Sequence, residues 1–171
     1  MKYRRLRKTE LKVSVIGVGT WQFGGEWGKN FSQREVNQML DKAKEVGMNL
    51  IDTAECYGDH LSEALIGKYL QKDQRDLSEK YKPGAVFEQN DWRSLKNQEQ
   101  LKLVEEIQSK EVSEGVHMAQ WALAWCLKNP AVTCVIPGYR NAEQLESSAK
   151  AADLELMNDA HPQAWNSKIN S

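Results

Sequence analysis

The stretch that most constrains the fold of this chain is Asn49–Gly58. A short apolar run ends at Asp52, and Tyr57 follows five residues later beside a glycine. The pattern predicts a strand that leads into a loop, with an ionisable pair at the carboxyl end of the strand, where α/β enzymes carry their chemistry. Asp52 and Tyr57 are therefore candidate catalytic residues. The alternative is structural, because such an Asp can cap a turn and such a Tyr can simply pack its ring.

Strands and helices alternate along the first 71 residues. The clearest boundary is the capping box of Ser32 and Glu35, after which apolar residues recur at helical spacing until Gly47 ends the helix. This alternation indicates an α/β fold. The predicted elements are a β-hairpin, a strand, a helix, a strand and a helix, at residues 2–14, 15–19, 32–47, 48–53 and 61–71.

The second half of the chain predicts helices at residues 95–110 and 118–127 and a strand at 133–136. Asn141 with Gln144 caps a last helix. The residues expected to form the apolar helix faces in this half are Leu101, Val104 and Ile107; Ala119, Ala122, Leu123 and Cys126; and Leu145, Ala149 and Ala152. In the earlier helix at 61–71 they are Leu61, Ala64, Leu65 and Ile66.

A second candidate site lies at Pro137–Gln144, where a strand turns into a helix. Unpaired N–H groups and the helix dipole at such an N-terminus favour a phosphate, and Arg140 adds a planar charged donor. The alternative is an ordinary capped helix with a surface arginine. Residues 17–19 are a poorer phosphate candidate, because Gln22 stands where the dinucleotide fingerprint needs a third glycine.

Three ordered segments resemble the aldo-keto reductases, a family of NADPH-dependent (β/α)8 barrels. They are residues 11–21, residues 52–67, and residues 119–125 together with 135–138. The resemblance implies a partial barrel: three parallel strands in the order 2-1-8, flanking helices and an N-terminal β-hairpin. Because the chain has 171 residues and such a barrel typically needs about 250, about the third to seventh strands are expected to be missing.

This interpretation predicts one partial barrel domain over residues 1–171. The hairpin and first two βα units occupy 1–71, a junction loop 72–93, the C-terminal helices and last βα unit 94–158, and a polar tail 159–171. Strands of a parallel sheet are apolar on both faces. The face that would line a barrel is therefore expected to meet water unless the junction, self-association or a partner chain covers it.

The resemblance also implies roles for the first candidate pair. In the family, a Tyr gives the proton to a carbonyl while the nicotinamide gives the hydride, helped by a Lys paired with an Asp and by a His. Tyr57 matches that acid and Asp52 that aspartate, whereas the Lys and His belong to strands without counterparts here. Asp52 alone should raise the pKa of Tyr57 above its usual value of about 10. We therefore expect little or no carbonyl reduction.

The cofactor that the resemblance implies is NADPH, and the family substrate is a small carbonyl compound. Gly138, Tyr139, Arg140 and Gln144 match positions that hold the cofactor, and Ser148 replaces an Asn that touches the adenine. Two alternatives to a reductase remain. One is a non-enzymatic module for nucleotide-phosphate binding or assembly, and the other is a deletion remnant without a stable fold.

Composition argues against other classes of partner. The net charge is −1 with Lys and Glu interspersed, which gives no field for nucleic acid or acidic lipid. No run of about 18 apolar residues predicts a membrane span. The three cysteines have no paired spacing, so neither a disulfide framework nor a zinc site is expected. These features favour a cytoplasmic protein with reduced thiols.

Overall fold

Five α-helices and four short strands make up the part of the chain that the structure describes, residues 1–26, 28–71 and 95–156 of a computed structural model. The strands are β1 (Tyr3–Arg5), β2 (Lys12–Ser14), β3 (Val18–Gly19) and β4 (Ile51–Asp52). The helices are α1 (Gln33–Glu45), α2 (Leu61–Leu70), α3 (Leu95–Glu111), α4 (Met118–Lys128) and α5 (Ala142–Ala149), with 3-10 turns at Trp21–Gly24 and Lys150–Asp153. The predicted junction at 72–93 and the tail at 159–171 lie outside the described residues.

An antiparallel hairpin begins the chain. Strand β1 pairs with β2 so that Tyr3 lies opposite Ser14. The amide of Leu6 donates to the carbonyl of Leu11 at 2.8 Å, and Arg7 adopts the left-handed conformation with φ 48°. The turn therefore closes around a non-glycine residue in a conformation that glycine normally supplies.

Three segments pair in parallel at the centre of the molecule. Strand β3 pairs with β4, placing Gly19 opposite Asp52, and single bridges from Ile16 and Gly19 join the same segment to residues 135–138. The regular strands are shorter than the stretches predicted at 15–19, 48–53 and 133–136. Pro137 contributes to this on one side, because it has no N–H to donate to a continuous ladder.

Helix α1 packs against this centre as its sequence predicts. Ser32 Oγ accepts from the amide of Glu35, whose carboxylate accepts from the amide of Ser32 at 2.8 Å, so the capping box is confirmed. The predicted apolar face is buried in one core with residues of the strands, α2, α4 and α5. Its buried residues are Val36, Met39, Leu40 and Ala43.

The faces predicted for α2 and α4 are partly wrong. In α2, Leu61 is 39% exposed and Ser62 is fully buried, because Ser62 Oγ bonds Thr20. In α4, Gln120 turns toward α5 and donates to the carbonyl of Ser147 at 2.8 Å. The buried side of α4 is therefore rotated from the predicted one and consists of Gln120, Trp121, Ala124 and Leu127. Trp121 stacks with Trp125, the next tryptophan along this helix.

Helix α3 exposes residues that were expected to face a core. Leu101 is 46% exposed and Val104 is 38% exposed. Helical spacing of apolar residues predicts a face but does not supply the element that covers it, and the described residues do not cover this one. Over the described ranges, no helix is both long and apolar enough to span a bilayer.

Candidate functional site

A cavity of about 400 Å³ opens where the three parallel segments end. It is lined by the last residues of β3 and β4, by the 3-10 turn after β3 and by the loop before α5. Six of the seven predicted site residues line it, namely Asp52, Tyr57, Gly138, Tyr139, Arg140 and Gln144. The seventh, Ser148, is buried on α5 and does not belong to the lining.

The acidic end of this cavity is formed by Asp52 and Tyr57. Asp52 is the last residue of β4, and its carbonyl accepts from Thr20 Oγ1 at 2.7 Å. The Tyr57 ring stacks on Trp21, with ring centroids 6.3 Å apart and planes inclined by 28°. The predicted Tyr57 loop therefore packs against the 3-10 turn that follows β3.

Backbone contact between two glycines holds the Tyr57 loop against that turn. A Cβ on Gly58 would lie 2.2 Å from the carbonyl oxygen of Gly24, and a Cβ on Gly24 would lie 2.5 Å from the amide nitrogen of Gly58. Gly58 has φ 61°, and Asp59 and His60 continue in the left-handed region with φ 50° and 68°. Two consecutive non-glycine residues in this region store strain, a feature that clusters at functional sites.

A cluster of three hydroxyl groups joins the Tyr57 loop to α2 and to the residue that follows β3. Ser62 Oγ donates toward Thr20, whose carbonyl lies 3.0 Å away and whose Oγ1 lies 2.9 Å away, and Thr53 Oγ1 lies 3.1 Å from the same Ser62 oxygen. Thr20 and Ser62 are fully buried. The sequence reasoning missed this cluster. The feature of the sequence that could have indicated it is Ser62, a serine beside the apolar residues of α2.

The electrostatics at Tyr57 follow the direction predicted from the sequence. Its pKa is raised, first by burial and then by the charge of Asp52, with smaller contributions from Cys56 and Glu26. The predicted direction is confirmed, but burial is a larger cause than the aspartate. Within the described residues, the groups that act on this pKa are all acids. The phenol is therefore held protonated and is a weak proton donor.

The cationic end of the cavity is formed by Arg140, whose side chain is exposed. Gln144 Oε1 accepts from the amide of Arg140 at 2.9 Å, and the amide of Gln144 donates to Asn141 Oδ1 at 2.8 Å, so the predicted cap at Asn141 is confirmed. Lys29 Nζ lies 3.4 Å from the carbonyl of Arg140. Two cations, Lys29 and Arg140, therefore lie near this end. The Gln144 side chain, however, already accepts the hydrogen bond of an amide that could otherwise donate to a phosphate.

The parallel pairing, the cavity at the strand ends and the Asp–Tyr pair all point to one family. The Aldo/keto reductase family model matches residues 15–82 and 76–169, which covers most of the chain. The chain belongs to the aldo/keto reductase family. Its curated relatives include uncharacterised oxidoreductases of Mycobacterium bovis and Mycobacterium tuberculosis, each 38% identical over 81 residues. The match covers 44% of this chain and 25% of each relative, so the chain spans about a quarter of their length.

Aldo/keto reductases use NADP(H), and the cavity fits such a cofactor in part. A Cβ on Gly138 would lie 2.6 Å from Gln22 Oε1, so the missing side chain lets Gln22 approach this strand end and line the cavity. Arg140 offers a charged donor for a phosphate. Two of the residues matched to the cofactor do not offer their hydroxyl groups to the cavity, however. The Tyr139 hydroxyl donates to the carbonyl of Gly17 at 3.1 Å inside the core. Ser148 is buried, with 8% of its surface exposed, and does not line the cavity.

Metal and thiol chemistry have less support around the cavity. No group of three or more metal-ligating side chains occurs among residues 1–26, 28–71 and 95–156. Cys56, Cys126 and Cys134 are free thiols. The pKa of Cys134 is raised by burial and by the charge of Asp52, which makes its thiolate harder to form. The Asp52–Tyr57 pair and Arg140 are therefore the features on which a function can be argued.

Proposed function

We propose that this chain is a shortened aldo/keto reductase that retains the second, first and eighth strands of a barrel, binds NADPH and is impaired in carbonyl reduction. The observation that carries the proposal is the single cavity that joins the Asp52–Tyr57 end to the Arg140 end across three parallel segments. On this reading β4, β3 and residues 135–138 are neighbours in the order 2-1-8.

The proposed internal deletion is supported by the way in which the family model matches. The two matched segments, 15–82 and 76–169, overlap at residues 76–82, inside the junction predicted at 72–93. A continuous barrel would align along one segment, whereas a chain that lacks middle strands aligns once on each side of the gap. The family Lys and His would come from those missing strands.

Impaired chemistry follows from the surroundings of Tyr57. A useful proton donor near neutral pH needs a cation that lowers its pKa by roughly 1–3 units. The groups that act on Tyr57 within the described residues instead raise its pKa. NADPH would supply the hydride when bound, held through Arg140. Asp52 and Tyr57 would then orient a carbonyl compound without activating it efficiently.

Calorimetric titration with NADPH tests the binding half of the proposal. We expect saturable binding that Arg140→Ala weakens about ten-fold, because the variant removes a charge-assisted donor to phosphate. Arg34→Ala is the matched control, since Arg34 is an exposed arginine on α1 outside the cavity lining. Binding that is equal in the wild type and Arg140→Ala would remove the cofactor proposal.

An NADPH-consumption assay with aromatic and aliphatic aldehydes tests the catalytic half. We expect no turnover above the background of the Tyr57→Phe variant. Steady turnover by the purified wild type that disappears in Tyr57→Phe would show that the retained pair suffices for catalysis. The claim of impairment would then be wrong.

The second candidate function is a non-enzymatic assembly module located in the cytoplasm. The observation that favours it is Ile136, a residue of the cavity lining that is 43% exposed. A self-associating or partner chain that packs there would bury it. Light scattering should then show a dimer that Ile136→Lys dissociates, whereas a monomeric wild type would argue against self-association.

A further inference from the structure

The cavity has charges of opposite sign at its two ends. Asp52 lies at one end with Tyr57, and the charge of Glu26, whose carboxylate accepts from Trp21 Nε1 and from the amide of Gly58, also acts on Tyr57. Arg140 lies at the other end. A ligand that satisfies both ends carries an anion near Arg140 and a cation near Asp52.

The acidic end also offers aromatic surface. Trp21 and Tyr57 both line the cavity, and their rings are stacked at 6.3 Å. Aromatic faces attract a planar cation through the ring quadrupole, and a nearby carboxylate strengthens that attraction. This end is therefore suited to a flat, positively charged ring.

Asp52 is not neutralised by the protein within the described part of the chain. Its carboxylate forms no ion pair among residues 1–26, 28–71 and 95–156, and its charge is felt by both Tyr57 and Cys134. A ligand cation placed there gains an attraction for which no cation of the described residues competes. A neutral ring placed there gains only packing and stacking.

We infer that the cavity selects by the charge of the ligand ring and holds NADP⁺ more tightly than NADPH. The inference rests on the proposed cofactor binding and deepens it. The two forms carry the same phosphates, so the Arg140 end treats them alike. They differ at the nicotinamide, which is positively charged when oxidised and neutral when reduced. The acidic end discriminates between them, and specificity is this difference between two affinities.

The consequence is that this protein binds the form of the cofactor that cannot reduce a carbonyl. At neutral pH and low salt, NADP⁺ is expected to bind about ten-fold more tightly than NADPH, the size expected for one half-buried charge pair. The preference decreases as salt is raised from about 0.05 M to about 0.5 M, because ions screen a half-exposed carboxylate. That salt trend needs no variant and so is independent of any folding defect.

The test is isothermal titration calorimetry of the wild type, Asp52→Asn and Glu55→Gln with NADP⁺ and with NADPH. Asp52→Asn keeps the side-chain shape and is expected to bring the ratio of the two dissociation constants to about 1 by weakening NADP⁺ alone. Glu55→Gln removes an exposed acid from the same loop outside the cavity lining and should keep the wild-type ratio. Circular dichroism melts check that each variant is folded.

The outcomes separate this inference from the proposed function. Equal affinities of the wild type for NADP⁺ and NADPH, or an unchanged ratio in Asp52→Asn, would overturn the charge selection while leaving cofactor binding intact. Absence of binding for both forms would overturn cofactor binding and, with it, the selection. A wild-type preference for NADP⁺ that Asp52→Asn abolishes and Glu55→Gln retains supports both.

Discussion

The two ends of the cavity are built by different physical means. The Tyr57 end rests on a backbone contact between Gly24 and Gly58 and on fully buried hydroxyls, including that of Ser62. The Arg140 end is exposed and is held by side chains that bond the backbone of its loop, such as Gln144. One end is fixed by close packing and the other by polar contacts that water can replace.

This difference indicates which end sets orientation and which end adapts. A loop fixed by buried contacts cannot shift without breaking them, so the acidic end keeps its geometry. An exposed loop can exchange its own hydrogen bonds for those of a ligand, as Gln144 could release the amide of Arg140 to a phosphate. Variants of the residues that hold the Tyr57 loop in place should therefore affect folding, whereas variants of exposed residues at the other end should affect binding.

The largest effect is expected for Gly58→Ala. The new Cβ would lie 2.2 Å from the Gly24 oxygen at a residue with φ 61°, so steric overlap adds to left-handed strain. We expect a loss of about 2–5 kcal/mol in the free energy of unfolding, measured by urea denaturation. Gly28→Ala is the matched control: its φ is 72° and no atom of the described residues lies within 4 Å of the added Cβ, so only about 1–2 kcal/mol should be lost. Equal losses would show that the Gly24 contact does not constrain the loop.

The next largest effect is expected for Ser62→Ala. The variant removes a buried oxygen that bonds Thr20 and Thr53 and leaves their polar groups without this partner. We expect a loss of about 1–3 kcal/mol by the same measurement. Ser109→Ala on α3 also deletes one hydroxyl bond, but an exposed one, and should change stability by less than about 0.5 kcal/mol. Equally small changes in the stability of the two variants would mean that the hydroxyl cluster does not stabilise the fold.

Much of this framework could be predicted from the sequence where a signal was local. The capping box at Ser32 and the cap at Asn141 need only residues a few positions apart, and both were confirmed. The direction of the Tyr57 pKa shift needed only the neighbouring Asp52. Burial, which proved the larger cause, depends on how Trp21 and the surrounding loops pack.

What could not be predicted depends on distant partners. Helices α1 and α3 both show apolar residues at helical spacing, yet α1 is buried and α3 exposes Leu101. Periodicity reports an apolar face and not the element that covers it. Likewise, Gln120 and Ser62 are polar residues that turn inward because Ser147 and Thr20 lie opposite them. Those contacts join residues 27 and 42 positions apart, beyond the reach of a local pattern.

A smaller effect is expected on the titration of Tyr57. Burial and Asp52 both raise its pKa, so the phenolate absorbance that distinguishes the wild type from Tyr57→Phe should appear only above about pH 10. The raised pKa means that the folded state holds the phenol proton more tightly than the unfolded state. The stability that this proton binding contributes is present below about pH 10 and is lost as the pH rises further. Asp52→Asn should lower the pKa but leave it raised, since burial is the larger cause. A phenol that titrates below about 10 in the wild type would contradict the weak-donor assignment.

The smallest effect is expected near the exposed end, at Glu35. Its pKa is lowered to about 2 from 4.5, first by the hydrogen bond from the amide of Ser32 and then by Lys29. A lowered pKa means that the stabilisation is present above about pH 4.5 and is lost as the pH falls toward about 2. The stability difference between the wild type and Glu35→Gln should therefore shrink over that window in urea denaturation. The variant Lys29→Met tests the cause of this pH dependence. It should keep most of the pH dependence, because the hydrogen bond from the Ser32 amide is the larger cause. Complete loss of the pH dependence in Lys29→Met would assign the effect to the exposed Lys29–Glu35 ion pair instead.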